Sequence, residues 1–429
     1  MSLRVWLPLN GTLDNQGLDD VAVINNGATV NNSGKIGKCY SFDGFSYLSV
    51  PIDFSNFSTT ECSICVWAKL PEPSSGNKQL IHIGKGSGWT NNRFVIIYRT
   101  GYAQVITSMS NGTNYVAYNC STSIETNTWI HIAAIYKDKT LKLYINGDLK
   151  KSYTTTYDIS FNSITSFGIG AAPNGAEKLT GYLNDVRIYD HALSPMEVKQ
   201  ISQGLILHYP LNNIGIKEDI EYDCSGYCNN GIRTGTFTYD NDTPKYNVST
   251  VFNKASYINI GQQLFNARDE ITVNLWVKAD SWATNPGTFF SSMESGGNGW
   301  QKSGNNYVVS CGTGVSSNSY VTTSITTTSL DASKWHMMTF TYDGMILNTY
   351  IDSVLQTTTS KYDTKTPLYY NSRSTMFIGG EATTNKNTPA NSTKYPNFKG
   401  KISDVRIYCT ALSAEDILSL YNNSAYIDN

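Results

Sequence analysis

Apolar and polar residues alternate along much of this chain, which is the pattern of β-strands that bury one face. The stretch "DVRIYDHALSPMEV", which begins at Asp185, opens with five residues of this kind. Ser194 then stands directly before Pro195 and three residues before Glu197, the arrangement of a capping box at the start of a helix. This stretch therefore predicts a half-buried strand, a turn and a short capped helix.

The same order of elements occurs a second time. "DVRIYCTALSAEDI" begins at Asp404, with Ser413 and Asp416 in place of the capping serine and glutamate. Upstream, "ICVWAKL" is matched by "VNLWVKA", and "TWIHIAAIYKDKTLKLYING" by "KWHMMTFTYDGMILNTYIDS". The chain is therefore predicted to hold two copies of one domain, residues 1–203 and 204–429. The seam falls at Gly204, a residue suited to ending a helix in a left-handed conformation.

Each copy is predicted to consist almost entirely of β-strands. In "WIHIAAIYKDKTLKLYINGDLKKSY" three alternating runs are separated by turn dipeptides, and Asn146-Gly147 favours a tight hairpin. Strands at regular spacing, with one short helix per copy, predict an all-β chain of two tandem β-sandwiches, each ending in a short helix.

Composition and charge narrow the classes of partner. The chain has 429 residues, of which 40% are hydrophobic and 12% aromatic, enough for a core in each copy. Only 15% of the residues are charged and the net charge is −2, so we expect no nucleic-acid partner. No apolar run approaches a membrane span, so we expect no membrane insertion. The start "MSLRVWLPLN" does not resemble a secretion leader, so we expect synthesis in a bacterial cytoplasm.

The eight cysteines do not occupy matching positions in the two copies. This favours reduced, partly buried thiols over a disulfide framework. Cys224 and Cys228 resemble half of a metal site, but no second pair or nearby histidine completes it, so zinc is not expected.

The ordered set "PLN", "DNQG" or "DCSG", "YSFDGFSYLSV", "VWAKL", "TWIHIAAIYKDKTLKLYING" and "DVRIYDHALSPMEV" resembles the laminin-G-like jelly rolls of the concanavalin A-like lectin/glucanase superfamily. The resemblance covers both copies nearly end to end, although the second copy departs from it in several loops. It implies two tandem jelly-roll sandwiches. The superfamily includes glycan-binding modules, glucanases, adhesins and structural parts of bacteriophage particles, so the fold alone does not choose a function.

The resemblance also implies a structural calcium ion in each copy, as the only cofactor. The matching positions are Asp14 with Asp185 in the first copy and Asp223 with Asp404 in the second. Carboxylate oxygens and loop carbonyls suit this hard cation. The alternative is that Asp14 and Asp223 cap turns, while the other two aspartates bind a neighbouring loop.

Glycan binding needs an exposed aromatic ring beside amide or guanidinium groups. "GKGSGWTNNRF" offers Trp89 with Asn92 and Arg93, and "ESGGNGWQKSGNNY" offers Trp300 with Asn305. The alternative is that each tryptophan turns inward. The four tryptophans in strand patterns are predicted to lie in the core: Trp67, Trp129, Trp276 and Trp335.

No catalytic residues are expected. In the glucanase branch, Glu, Asp and Glu alternate on one strand, and neither copy contains such a strand. The five histidines do not match between copies, and we expect them to be structural.

The functional hypothesis is a non-catalytic module that binds glycans or surfaces. Its expected setting is the surface of a bacteriophage virion, as a receptor-binding, fibre or decoration protein, with a cell-surface glycan or other virion proteins as partners. The alternatives are a lectin or adhesin at a bacterial cell surface and, as a weaker one, a glycoside hydrolase. Whether the chain forms a homo-oligomer is left open.

Overall fold

The computed structural model describes residues 3–422, apart from 56, 59, 73–75, 87, 89–90, 100, 162, 214–218, 226, 262–268, 295, 304–305, 315–318, 328–329, 372–373, 384–386 and 391–395. The chain divides into two compact units, Met1–Gln203 and Gly204–Asn429, which we call the first and the second domain. The internal repeat has its seam at the same residue.

The described part of the first domain contains these strands and one helix: β1 Leu3–Leu7, β2 Ile24–Asn26, β3 Thr29–Asn31, β4 Cys39–Asp43, β5 Tyr47–Pro51, β6 Glu61–Lys69, β7 Asn77–Gly84, β8 Arg93–Arg99, β9 Gln104–Ser110, β10 Tyr115–Val116, β11 Ser121–Ser123, β12 Trp129–Lys137, β13 Thr140–Ile145, β14 Asp148–Thr154, β15 Ser166–Ile169, β16 Thr180–Tyr189 and α1 Pro195–Ser202. They form two antiparallel sheets. Sheet 1A has the order β14-β13-β12-β6-β16-β4-β3, with β1 also paired to β16. Sheet 1B has the order β10-β9-β8-β7-β15-β5-β2, with β11 also paired to β9.

The described part of the second domain repeats this plan: β17 Leu205–Tyr209, β18 Ile220–Glu221, β19 Gly231–Thr234, β20 Thr238–Asp240, β21 Ser249–Asn253, β22 Tyr257–Gly261, β23 Ile271–Ala279, β24 Phe290–Ser291, β25 Asn298–Ser303, β26 Asn306–Gly312, β27 Tyr320–Thr326, β28 His336–Tyr342, β29 Ile346–Ile351, β30 Val354–Ser360, β31 Met376–Ile378, β32 Lys399–Tyr408 and α2 Ala414–Asn422. Sheet 2A has the order β20-β21-β32-β23-β28-β29-β30, with β17 on β32. Sheet 2B has the order β18-β19-β22-β31-β24-β25-β26-β27.

The core of the first domain lies between its two sheets. Alternate residues of β6 and β12, such as Val66 and Ile132, meet alternate residues of β8, such as Phe94 and Ile96, in one buried cluster. This burial supplies the main drive for folding. The prediction of an all-β chain with two tandem sandwiches, each followed by a short helix, is confirmed.

The local signals at the end of each domain are also confirmed. Ser194 and Glu197 form the complete capping box of α1. In the second domain Ser413 and Asp416 exchange the corresponding hydrogen bonds. Gly204 follows α1 with a φ of +63°, in the left-handed region. Among the described residues no helix is long and apolar enough to cross a membrane.

The strand tryptophans are only partly where we predicted them. Trp67 and Trp276 are buried, but on the outer faces of sheets 1A and 2A, away from the space between the sheets. Trp129 and Trp335 are half-buried, so their assignment to the core is wrong. Trp129 is the first residue of β12, and Trp335 directly precedes β28. At these strand ends solvent reaches each ring.

His131 occupies the same register position as Met337. His131 lies opposite Trp67, and Met337 lies opposite Trp276. His131 is fully buried, and neither ring nitrogen has a hydrogen-bond partner among the described residues. Burial, helped by the charge of Arg187, lowers the pKa of His131 to about 3.

We expect His131→Met to stabilise the first domain by about 1–2 kcal/mol at pH 7, because it removes two unsatisfied buried nitrogens. The gain should grow as the pH falls from 6.5 toward 3, since the unfolded histidine takes up a proton that the folded one refuses. Pulse proteolysis of the full chain in urea, with the surviving fragments of each domain identified by mass, measures this. Met337→His should destabilise the second domain, and equal stability of wild type and His131→Met at pH 5 would contradict the account.

Candidate functional site

The structure corrects the prediction that Trp300 binds a ligand. Trp300 lies in β25 and is fully buried, with its ring centroid 5.5 Å from that of Phe289 and 5.9 Å from that of Phe340. The glycines before it serve a tight turn: Gly297 has a φ of +75°, and a Cβ there would lie 2.0 Å from the Ser292 carbonyl oxygen. A ring without exposed surface cannot stack on a sugar.

The predicted site around Trp89 is only partly described. Trp89 and, in the second domain, Asn305 lie outside the described residues, so their roles stay predictions. Asn92 is half-buried, and its amide lies 3.4 Å from Ser160 Oγ. Arg93, predicted to bind a ligand from a loop, instead begins β8 and is buried.

The Arg93 guanidinium is held inside the first domain. Its Nη2 donates to Ser108 Oγ at 3.1 Å. Burial lowers the pKa of Arg93 to about 10, although the nearby Glu177 acts in the opposite direction. Because the side chain runs along sheet 1B rather than into solvent, the prediction that Arg93 contacts a ligand is wrong.

Asp404 lies at the centre of a buried charge cluster. Its Oδ1 accepts hydrogen bonds from Arg406 Nε at 2.8 Å, His208 Nε2 at 3.0 Å and Tyr246 OH at 3.1 Å. Lys245 Nζ lies 3.0 Å from Oδ2, close enough for an ion pair but without hydrogen-bond geometry. Burial alone would raise the pKa of Asp404, but Arg406, His208 and Lys245 hold it well below its ordinary value.

This cluster does not fit a calcium ion. Two cations already face one carboxylate, so the site carries no spare negative charge for a third. Asp223 is likewise committed to its own loop, since it accepts from the backbone of His208, Ser225 and Asn229. Calcium at Asp223 and Asp404 therefore stays a prediction without support from these contacts, which agree with the alternative that the two residues organise loops.

In the first domain the position that corresponds to Asp223 is Asn15, one residue after the predicted Asp14. Asn15, not Asp14, accepts from the backbone N–H of Trp6, as Asp223 does from His208. Asp14 is exposed and lines a cavity of about 590 Å³ formed by residues 13–15 and 17–23. The change from aspartate to asparagine removes one of the charges that calcium would need.

Asp185 is buried like Asp404 but has fewer hydrogen-bond partners among the residues that the structure describes. Its Oδ1 accepts from Trp6 Nε1 at 2.6 Å and Arg187 Nε at 3.1 Å. Both aspartates have a left-handed φ, 53° and 52°, at a register shift in their strands, which aims the carboxylate inward. Among the described residues no group of three or more His, Cys, Asp or Glu is arranged to hold a metal ion. Calcium at Asp14 and Asp185 stays a prediction without a ligand set in its favour.

An exposed aromatic surface does occur on the first domain. The tyrosine surface, as we call it, consists of Asn77, Arg99, Tyr102 and Tyr118. Tyr102 is 60% exposed and Tyr118 is 40% exposed. The guanidinium carbon of Arg99 lies 3.9 Å from the ring centroid of Tyr102 and 4.5 Å from that of Tyr118. The Asn77 amide lies 3.4 Å from the Tyr118 hydroxyl.

This surface combines the groups that bind sugars. The tyrosine rings offer faces for stacking, and the amide and guanidinium offer hydrogen bonds to hydroxyls. Arg99 also holds both rings in place by cation–π contact. Ordering the rings on a ligand would therefore cost little conformational entropy. The sequence signal was the hairpin "YRTGYAQ", in which Gly101, with a φ of +85°, places Tyr102 on a turn. The contact of Tyr118 with β7 could not be read from sequence, because it joins residues that are 41 positions apart.

Similarity to known proteins identifies the family. A laminin-G family model, described as the concanavalin A-like lectin/glucanases superfamily, matches residues 42–199 and 252–418, more than half of the chain. The chain belongs to the concanavalin A-like lectin/glucanases superfamily. One match falls in each domain, so both sandwiches are members.

Individual relatives of this superfamily member are distant. Over 202 residues the chain is 24% identical to adhesion G-protein coupled receptor V1 of Danio rerio. The matched region is 46% of this chain but only 3% of the receptor. Domain 4 of the Geobacillus stearothermophilus arabinanase AbnA, in complex with arabinotriose, has a TM-score of 0.39 at 20% identity, over 47% of this chain and 98% of that one. The Ruminococcus gnavus sialidase CBM40 bound to α2,3-sialyllactose gives 0.31 at 15% identity, over 38% and 96%. These likenesses are too weak to carry an argument about ligands.

The second domain also contains a buried carboxyl group. Glu381 in the second domain is 2% exposed, and Gln301 Nε2 donates to its Oε1 at 3.2 Å. Among the described residues none is in hydrogen-bond geometry with Oε2. Burial raises the pKa of Glu381 to about 8, against the effect of the nearby Ser291 and Thr288 hydroxyls. Glu381 is therefore a protonated acid at neutral pH, a property shared with catalytic acids.

Proposed function

We propose that the chain is a non-catalytic carbohydrate-binding protein in which the tyrosine surface of the first domain contacts the glycan. The observation that carries the proposal is the exposure of Tyr102 and Tyr118 on either side of Arg99. Membership of a superfamily that contains lectins agrees with it. Two stacking rings with fixed polar neighbours suit a short run of neutral or weakly charged sugar units.

A glycoside hydrolase is the second candidate, because Glu381 has the raised pKa of a general acid. A general acid must reach the glycosidic oxygen, within about 3 Å, and the side chain of Glu381 has almost no surface that a substrate could touch. We therefore propose a structural role for Glu381 and no catalysis.

The test of the proposed function is binding by tyrosine variants. We expect Tyr102→Ala and Tyr118→Ala each to weaken binding about tenfold to glycans selected on an array, the effect of losing one stacked ring. Isothermal titration calorimetry of the full chain measures this.

Tyr102→Phe keeps the ring and should bind nearly as well as wild type. Leu149→Ala removes an exposed side chain elsewhere on the first domain and serves as the matched control. Unchanged affinity in both alanine variants, with folding intact, would contradict the proposed site.

The setting that we propose is the surface of a bacteriophage particle, with a bacterial cell surface as the alternative. A binding module of this kind would attach the particle to host glycans or join other virion proteins. Immunogold electron microscopy with an antibody against the chain tests this, since label on particles supports the first setting and label confined to cells supports the second.

A further inference from the structure

A row of four half-buried side chains crosses the outer face of sheet 1A. Tyr182 lies directly opposite both Ser41 and Lys69, and Lys69 lies directly opposite Trp129. Residues opposite one another in antiparallel strands share a face, so these four side chains form one strip. The strip contains two aromatic rings and one ammonium group.

A cavity of about 350 Å³ opens on this strip. Its walls include Ser41, Lys69, Asn127, Thr180 and Tyr182. In the described part of the chain no carboxylate lies within ion-pair distance of Lys69; Glu72, three residues further on, accepts a hydrogen bond from Thr126. The cavity therefore presents a positive charge together with hydroxyl and amide groups.

The second domain fills the corresponding place with its own carboxylate. Lys278 corresponds to Lys69 and lies opposite Lys401. Asp242 Oδ2 lies 2.7 Å from Lys278 Nζ and 2.9 Å from Lys401 Nζ, and its Oδ1 accepts from Trp335 Nε1 at 3.0 Å. These contacts lower the pKa of Asp242 to about 2, with the Lys278 hydrogen bond as the largest cause.

The residue of the first domain that matches Asp242 is Ser33. The backbone N–H of Asp242 donates to Asp240 Oδ1 at 2.8 Å, and that of Ser33 donates to Asn31 Oδ1 at 2.8 Å. β3 and β20, which end at Asn31 and Asp240, pair in the same way with β4 and β21. The first domain thus keeps one of the two lysines and the tryptophan, has Tyr182 in the place of Lys401, and lacks the acid.

We propose that the cavity beside Lys69 binds the carboxylate of an acidic sugar, which takes the place that Asp242 occupies in the second domain. The inference rests on the proposed carbohydrate-binding function and adds a second, charge-selective site to it. Asp242 shows that a carboxylate fits between the lysine ammonium and the indole N–H. Tyr182 and Trp129 offer ring faces for a sugar, and Ser41, Thr180 and Asn127 offer partners for its hydroxyls.

The test compares acidic sugars with their neutral counterparts. Trigalacturonate, a glucuronate disaccharide and a sialylated trisaccharide, each paired with its methyl ester, are titrated into the full chain by calorimetry. We expect at least one acid to bind about tenfold more tightly than its ester, since one charge-assisted hydrogen bond has about this effect. The preference should shrink at high salt.

Substitutions at Lys69, Ser33 and Asp242 test whether the acid binds in this cavity. Lys69→Met should abolish the preference for the acid, and Ser33→Asp should block the cavity by supplying the internal carboxylate of the second domain. Asp242→Ser should create a comparable preference in the second domain. Ser33→Asn, which adds bulk without charge, is the matched control and should retain more binding than Ser33→Asp.

The outcomes separate this inference from the proposed function. Loss of acid preference in Lys69→Met, with binding at Tyr102 unchanged, supports both. Equal affinity for acids and esters in wild type overturns the acidic-sugar site alone, even if neutral glycans still bind at the tyrosine surface. Equally tight binding of a glutamate-rich peptide overturns the choice of a sugar.

Discussion

Asp404→Asn is expected to destabilise the second domain by about 3–5 kcal/mol, because it leaves buried cations without their counter-charge. Lys245 and Arg406 are almost fully buried and both face this carboxylate. His208 and Tyr246 would also lose an ionised acceptor. Pulse proteolysis of the full chain in urea measures the free energy of unfolding of the second domain separately from that of the first.

Asp185→Asn is the matched control in the first domain. Among the described residues the Asp185 carboxylate accepts from Arg187, which is partly exposed, and from the indole of Trp6, so we expect a loss of about 1–2 kcal/mol. Adding Lys245→Met to Asp404→Asn should recover part of the stability, since one uncompensated charge is removed. Equal effects of the two asparagine variants would show that the cluster around Asp404 is not a charge-balanced unit.

Glu381→Gln is expected to stabilise the second domain at high pH. The folded pKa of Glu381, about 8, lies above its ordinary value of 4.5, so the folded state holds the proton more tightly. The contribution of Glu381 to stability is therefore fully present below pH 4.5 and is lost as the pH rises to 8. At pH 9 the variant should be more stable than wild type by about 5 kcal/mol, and at pH 4 the two should be similar.

Stability measured from pH 4 to pH 9 tests this prediction. His336 also makes the second domain less stable as the pH rises. Its hydrogen bond to Asp352 raises the pKa of the imidazole, and the stability from that pair is lost as the pH rises through this raised pKa. The comparison of wild type with Glu381→Gln isolates the glutamate. If the two curves stay parallel over the whole range, Glu381 is not buried as a neutral acid.

The fold could be predicted because its signals are local and occur twice. Strand alternation, the capping pairs Ser194–Glu197 and Ser413–Asp416, and Gly204 each depend on neighbours within a few residues. A repeat of such signals in one order leaves few alternatives for the fold.

The candidate binding site could not be predicted in the same way. "ESGGNGW" has the composition of a loop, yet its glycines make a turn that sends Trp300 into the core. The tyrosine surface depends on a contact between β7 and the loop that carries Tyr118. The resemblance pointed to Asp14, whereas Asn15 is the residue that accepts from the Trp6 backbone, and only the position of that backbone decides which of the two faces inward. Each of these outcomes depends on long-range packing.

The most direct test of the account is to titrate the full chain with an array-selected glycan by calorimetry and then recover the ligand for mass spectrometry. We expect saturable binding that is weakened about tenfold by Tyr102→Ala, with the glycan recovered intact. Failure to bind any glycan, or recovery of cleaved glycan from wild type but not from Glu381→Gln, would contradict the claim of a non-catalytic carbohydrate-binding protein.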